Sequence, residues 1–258
     1  MGKKTVSHVR RFAEAEGGQV AVQVLPPPYA LLRPFEIVGF EDLPFGTIVH
    51  AAGTSALAVL GALTIVLNRW PWVVPTLTLP PGEERMHEAL ALVSELRHRV
   101  MVVPAVLGRG AAEGPEPEPI LEAARARRFP PAEELARYVA LRLGTLKLFE
   151  ELAERFDEAL NGRTARLEMH VDTLRRHFRR FGPFRDKDWR DLALVMRDLD
   201  ARATARGAGD VDTRTLGRRV KRLLGLSLGD AEALVGWEWA IEHALRRAGY
   251  PARPLVSL

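Results

Sequence analysis

The sequence predicts an α/β N-terminal domain, a largely parallel sheet with flanking helices, followed by an all-α domain. Apolar runs of strand type alternate with helical ones over the first half of the chain, and from about Leu146 onward only helical periodicity remains. Length agrees, since 258 residues exceed the usual size of one small domain. The predicted domains are 1–144 and 145–258, with the break near Leu143 to Thr145.

After a polar N-terminal segment, Val20 to Leu25 and Ala30 to Phe40 read as strands, rich in Val, Ile, Leu and Phe and separated by Pro26-Pro27-Pro28. Thr54 to Leu67 is a helical apolar run, Trp72 to Leu79 a strand, Glu83 to Val100 an amphipathic helix and Met101 to Leu107 a short strand. Gly108 to Pro119, with Gly114-Pro115-Glu116-Pro117-Glu118-Pro119, has the composition of a loop. Helices are expected over Ile120 to Arg127, Pro131 to Leu143, Leu146 to Leu160, Asp172 to Phe181, Lys187 to Ala203, Thr213 to Leu224 and Asp230 to Ala248.

Composition narrows the function classes. Cysteine is absent, which excludes disulfides, thiolate catalysis and cysteine-bound metal clusters, and makes a reducing cytoplasm the expected setting. Residues after the basic Met1-Gly2-Lys3-Lys4-Thr5 are polar and charged where a signal peptide would be apolar. Thr47 to Leu67 carries no Asp, Glu, Lys or Arg and is long enough to span a bilayer. Its small residues Ala51, Ala52, Gly53 and Gly61, and the helix start at Thr54-Ser55, fit close packing in a soluble core, so no membrane partner is expected.

The formal net charge is only +4, but the excess lies entirely beyond Arg142 and concentrates on two short segments. Val171-Asp172-Thr173-Leu174-Arg175-Arg176-His177-Phe178-Arg179-Arg180-Phe181 and Asp212-Thr213-Arg214-Thr215-Leu216-Gly217-Arg218-Arg219-Val220-Lys221-Arg222-Leu223 follow one plan. Leu174, Phe178 and Phe181 lie at i, i+4 and i+7, as do Leu216, Val220 and Leu223, so each helix has one apolar stripe. Arg175, Arg176, Arg179 and Arg180 fall largely off the first stripe, and Arg218, Arg219, Lys221 and Arg222 off the second. Asp172 and Thr173, or Thr213, stand where an N-cap belongs, while Gly182 and Gly225 stop the helices. Short capped basic helices of this kind fit the major groove of DNA, with N-terminal residues near base edges and later cations on phosphate. Candidate DNA contacts are Asp172, Thr173, Arg175, Arg176, His177, Arg179, Arg180, Thr213, Arg214, Thr215, Arg218, Arg219, Lys221 and Arg222. A solvated basic face on an ordinary bundle helix is the plainer reading of either copy, and the duplication weighs against it.

The run from Thr215 to Ser227 resembles the recognition-helix signature of AraC-type transcription regulators, in which Ser or Thr, Leu, Arg, an apolar residue and Lys-Arg precede Gly and Ser. The first copy is similar to it. The resemblance covers roughly the last hundred residues. It implies two helix-turn-helix units joined by a long helix, for which Lys187 to Ala203 is the candidate, with Trp189, Leu192, Val195, Met196 and Leu199 as its stripe. It further implies a regulator that binds duplex DNA, with a homodimer as a compatible assembly. Two features depart from the family. Its supporting helices would fall on Thr164 to Met169, which is short, and on Ala205 to Asp210, which contains Gly207 and Gly209. Asp230 to Ala248, with Trp237, Trp239, Ile241 and Leu245, extends beyond the family's domain, and its tryptophans read as core.

The N-terminal layout resembles a receiver domain without its chemistry. No aspartate ends the strand Trp72 to Leu79, and the pair Glu41 and Asp42 reads as a solvated loop, so no phosphorylation is expected. No phosphate-cradling glycine spacing, metal-ligand histidine spacing or nucleophile-elbow serine is present. Neither a cofactor nor an enzymatic activity is expected. A sensing or dimerising role fits the first domain, with any small-molecule effector unidentified. The alternative to a sequence-specific regulator is a non-enzymatic interaction or scaffold protein with a degenerate helix-turn-helix domain.

Overall fold

The computed structural model describes residues 8–15, 18–27, 29, 43–79, 99–103, 117–162, 171–203 and 212–250. By its contacts the chain divides into two compact units, Met1–Arg128 with Ala233–Glu238, and Phe129–Glu232 with Trp239–Leu258.

The first unit holds a five-stranded sheet in chain order: β1 (His8–Ala15), β2 (Gly18–Leu25), β3 (Ile48–Gly53), β4 (Val74–Thr78) and β5 (Met101–Val102). The sheet is mixed rather than largely parallel. β1, β2 and β3 pair antiparallel, whereas β3, β4 and β5 pair parallel. Only Glu16 and Gly17 separate β1 from β2, which permits a hairpin and nothing else, while the parallel pairs need a crossover. Helix α1 (Ala56–Arg69) provides that crossover between β3 and β4. The charge-free run Thr47 to Leu67 therefore resolves into a buried strand and a helix. The Ser55 hydroxyl caps α1 by accepting from the Ala58 amide at 3.4 Å. Among the described residues no helix is long and apolar enough to cross a membrane.

Alternation along the strands sends side chains to two faces. Val20, Val22, Val24, Val49 and Ala51 pack with Val59, Leu63 and Val66 of α1. Leu25, Ile48 and Val74 pack on the other face with Ile120, Leu121 and Ala124 of α2 (Pro117–Ala126) and with Val235. Each such fully buried side chain contributes roughly 1.5–3 kcal/mol. α2 begins three residues inside the expected loop, because prolines are tolerated in a first helical turn where the missing N–H has no partner to lose.

The second face also carries a polar row. His50 stands opposite Gln23 on β2 and Thr76 on β4. Its Nδ1 lies 3.0 Å from Thr76 Oγ1 and its Nε2 3.3 Å from Thr78 Oγ1. Thr78 gives its one proton to the Val103 carbonyl at 3.1 Å, so it accepts from Nε2–H, leaving Nδ1 to accept from Thr76. Burial pushes the His50 pKa down to about 3 and keeps the ring neutral.

Residues 233–238 complete the first unit. Gly236 (φ 88°) turns the chain, and a Cβ there would lie 2.4 Å from Val74 Cγ2. Glu238, fully buried, accepts from Arg127 Nη1 at 2.8 Å and Nη2 at 2.5 Å, and Arg127 Nη1 also donates to the Arg99 carbonyl at 2.7 Å.

The second unit is helical: α3 (Ala132–Leu143), a 3-10 turn (Leu146–Leu148), α4 (Phe149–Asn161), α5 (Val171–Phe181), α6 (Asp186–Ala203), α7 (Thr213–Leu223), α8 (Leu228–Glu232) and most of α9 (Trp237–Arg247). The break expected near Leu143 to Thr145 is the turn that ends α3, where Gly144 adopts φ 69°. It lies inside the second unit, and the division by contact falls between Arg128 and Phe129. The single helix expected over Asp230 to Ala248 is two, α8 and α9, interrupted at the left-handed Gly236. Trp237, Trp239, Ile241 and Leu245 are buried, as core residues should be. Glu242, also fully buried, accepts from Tyr138 Oη at 3.0 Å, Arg142 Nη2 at 2.7 Å and Arg142 Nε.

Several expected features lie outside the described residues. They are the strand Ala30 to Phe40, nearly all of the helix Glu83 to Val100, the strand and loop from residue 104 to residue 116, Glu41 and Asp42, and both supporting segments, Thr164 to Met169 and Ala205 to Asp210.

Candidate nucleic-acid interface

Both basic segments are helices, and both rest on α6, the expected connector. Trp189, Leu192, Val195, Met196 and Leu199 of α6 are all buried, the stripe expected of its spacing. Toward α5, Trp189 meets Phe178 with ring centroids 6.2 Å apart. Toward α7, Asp188 and Asp191 of α6 reach Arg222, and Asp191 also reaches Arg219.

α5 is anchored through aromatic packing. Phe178 is buried, and around Trp189 stand Phe184 at 5.0 Å and Tyr250 at 6.0 Å, with Phe184 edge-on to Tyr250 at 5.5 Å. Such pairs add about 0.5–1.5 kcal/mol each beyond their burial. The Phe184 amide donates to Tyr250 Oη at 3.1 Å, and burial raises the Tyr250 pKa to about 12, so the phenol stays protonated. Gly182 follows the helix for a steric reason. Its φ is not left-handed, and a Cβ would lie 1.9 Å from Tyr250 Cε1. The opposite face of α5 is cationic: Arg176, Arg179 and Arg180 are exposed and form no ion pair among the described residues. Arg176 lies three and four residues from the other two, so like charges face each other at a cost of roughly 0.2–0.5 kcal/mol per pair. Asp172 is exposed in the first turn and Thr173 half-buried. The side chains of Leu174, Arg175, His177 and Phe181 lie outside the described set.

α7 shares the plan and differs in its surroundings. Leu216, Val220 and Leu223 are buried. The N-cap is Asp212, one residue before the expected Thr213: its Oδ1 accepts from the Arg214 amide at 3.0 Å and its Oδ2 from Thr215 Oγ1 at 2.8 Å. The Thr215 hydroxyl above all, then the Arg214 amide, hold the Asp212 carboxyl below the usual carboxylate range. Gly225 (φ 72°) does take the left-handed conformation expected of a helix stop. The cations of α7 are largely engaged. Arg222 pairs with Asp188 and, at 2.5 Å, with Asp191; Arg219 Nε lies 3.4 Å from Asp191 Oδ1; Lys221 Nζ donates to the Gly225 carbonyl at 3.3 Å. Thr213, Arg214 and Arg218 remain exposed.

Sequence spacing missed Asp188 and Asp191. They lie on the face of α6 next to its apolar stripe, and only the fold brings them to a helix some 31 residues further on. Among the described residues no group of His, Asp or Glu is arranged to hold a metal ion. No family model, no curated protein and no solved structure matches the chain.

Proposed function

We propose that the chain binds duplex DNA, with α5 as the principal contact and Arg214 and Arg218 of α7 as a second, smaller one. The observation that carries this reading is the cationic face of α5. Arg176, Arg179 and Arg180 repel one another on a helix whose other side is fixed by Phe178, and among the described residues nothing neutralises them. A polyanion relieves that repulsion, and phosphate spaced along a groove is the partner such a row suits. In the fuller form of the proposal the protein is a sequence-specific transcription regulator of AraC type, cytoplasmic and non-enzymatic, with the sheet-containing unit serving to sense or to dimerise.

One observation favours the scaffold alternative for the second copy. Arg219 and Arg222 are committed to α6, so α7 offers fewer cations than its sequence promises. Selection of duplexes from a random-oligonucleotide pool, followed by titration at several salt concentrations, decides between them. A regulator enriches a defined sequence and loses affinity steeply with salt. Absence of binding to any duplex at low salt overturns the proposal.

A further inference from the structure

The last turn of α5, the connection through Gly182 and the first turn of α6 enclose a cavity of about 230 Å³, lined by Phe178, Arg179, Phe184, Arg185, Asp186 and Lys187. Its floor is apolar and held in place. Phe178 and Phe184 are buried against Trp189, and the Phe184 amide is tied to Tyr250. Its rim is cationic. Arg179, Arg185 and Lys187 are exposed and form no ion pair among the described residues, while Asp186, the one acid in the lining, lies 2.7 Å from Arg155 Nε as an ion pair without hydrogen-bond geometry.

We propose that this cavity binds a small organic anion, with a compact apolar body on the phenylalanine floor and a single carboxylate at the rim. Both halves of the site call for it. A bare inorganic ion leaves the small apolar area that Phe178 and Phe184 still expose in contact with water, and a neutral apolar molecule leaves three cations without a counter-charge. The volume lies below the roughly 300–1,000 Å³ of drug-sized sites, which restricts the occupant to about the size of one ring and its acid group. A preformed floor lowers the ordering cost of binding. The site goes beyond the DNA reading and stands without it, since it uses the cavity of the isolated protein.

Benzoate is the probe. In the 258-residue chain at constant ionic strength, amide resonances of Arg179, Phe184, Arg185 and Lys187 shift saturably with sodium benzoate, with a midpoint of about 1 mM or lower. Benzyl alcohol, the neutral analogue, and inorganic phosphate, the bare anion, each bind at least about tenfold more weakly, a difference of roughly 1.4 kcal/mol. Replacing both rim cations, Arg185→Gln with Lys187→Gln, weakens benzoate at least about tenfold, and Arg176→Gln on the same basic helix leaves it unchanged. Both rim side chains are exposed, and an unaltered thermal midpoint certifies the fold; Lys187→Gln alone makes the same comparison if the double variant does not fold. The proposal is overturned by shifts that do not saturate, by equal affinity for either control compound, or by an equal loss in Arg176→Gln.

Discussion

α5 and α7 are near copies in sequence and opposites in electrostatic circumstance. Each turns one apolar stripe inward and carries a row of cations, yet α5 displays Arg176, Arg179 and Arg180 to solvent while α7 surrenders Arg219 and Arg222 to Asp188 and Asp191. The packing partner decides the outcome. Where α6 faces α5 it presents Trp189, a ring that takes Phe178 and leaves charge alone; where it faces α7 it presents carboxylates. A basic helix is therefore a DNA-binding helix only after its neighbours have been counted, because an intramolecular carboxylate competes with phosphate at far higher effective concentration.

The largest expected effect tests that asymmetry directly. Substituting Arg176, Arg179 and Arg180 together by alanine lowers the slope of log affinity against log salt by up to about 3, and weakens duplex binding roughly a hundredfold or more near 0.1 M salt. Substituting Arg219 and Arg222 lowers the slope by less than about 1. Equal losses in a salt-series titration would show that the two helices act alike and that the ion pairs open on DNA.

A second test removes the competitor. Asp188→Asn with Asp191→Asn frees Arg219 and Arg222, and duplex affinity rises several-fold if α7 is held back by those carboxylates. The cost in stability is roughly 1–3 kcal/mol, since Arg222 is 44% exposed but the Asp191 side chain only 10%. Unchanged affinity in the same titration assigns the α7 cations to a structural role.

Gly182→Ala probes the anchoring of α5. The added methyl meets Tyr250 at 1.9 Å, so the variant loses roughly 1–3 kcal/mol in urea unfolding, and duplex binding weakens with it as α5 shifts. Unchanged stability would mean that Tyr250 does not fix the end of the helix.

The smallest effect is acid fraying of α7. The folded Asp212 pKa is depressed, so its contribution is complete above the ordinary carboxylate value and fades as the pH falls through the folded one. Amide exchange at Arg214 and Thr215 should accelerate over that acid range and leave α5 unaffected. In Asp212→Asn, which retains a capping acceptor but does not titrate, the pH dependence should vanish.

Much of the fold was legible because the signals were local. Helical periodicity located α1, α3, α4, α5, α6 and α7 to within a few residues, and the apolar stripe of α6 was read residue by residue. β1 was not legible: Arg10-Arg11 interrupts its apolar alternation, and among the described residues it pairs only with β2. The two-residue link between β1 and β2 was in plain view, but the alternation of strands and helices obscured the hairpin, and the antiparallel pairing of β2 with β3 across residues 26–47 had no such signal. Gly236 was visible within the supposed helix Asp230 to Ala248, but its close approach to Val74 is a contact no local pattern encodes. The same limit hid the pairing of Arg222 with Asp191. Which cations were present could be read; which were spoken for could not.

The segment Ala233–Glu238 carries a consequence for biosynthesis. The first unit is discontinuous in sequence, and the carboxylate that neutralises Arg127 is encoded 111 positions later. At translation rates of about 5–20 residues per second, the ribosome adds Glu238 roughly 6–20 s after Arg127. During that interval the nascent sheet lacks Val235 from one face and Arg127 lacks the carboxylate it is buried with in the finished unit. The first unit, though begun first, thus waits for residues 233–238, and a message truncated before codon 238 yields a sheet that never acquires this counter-ion.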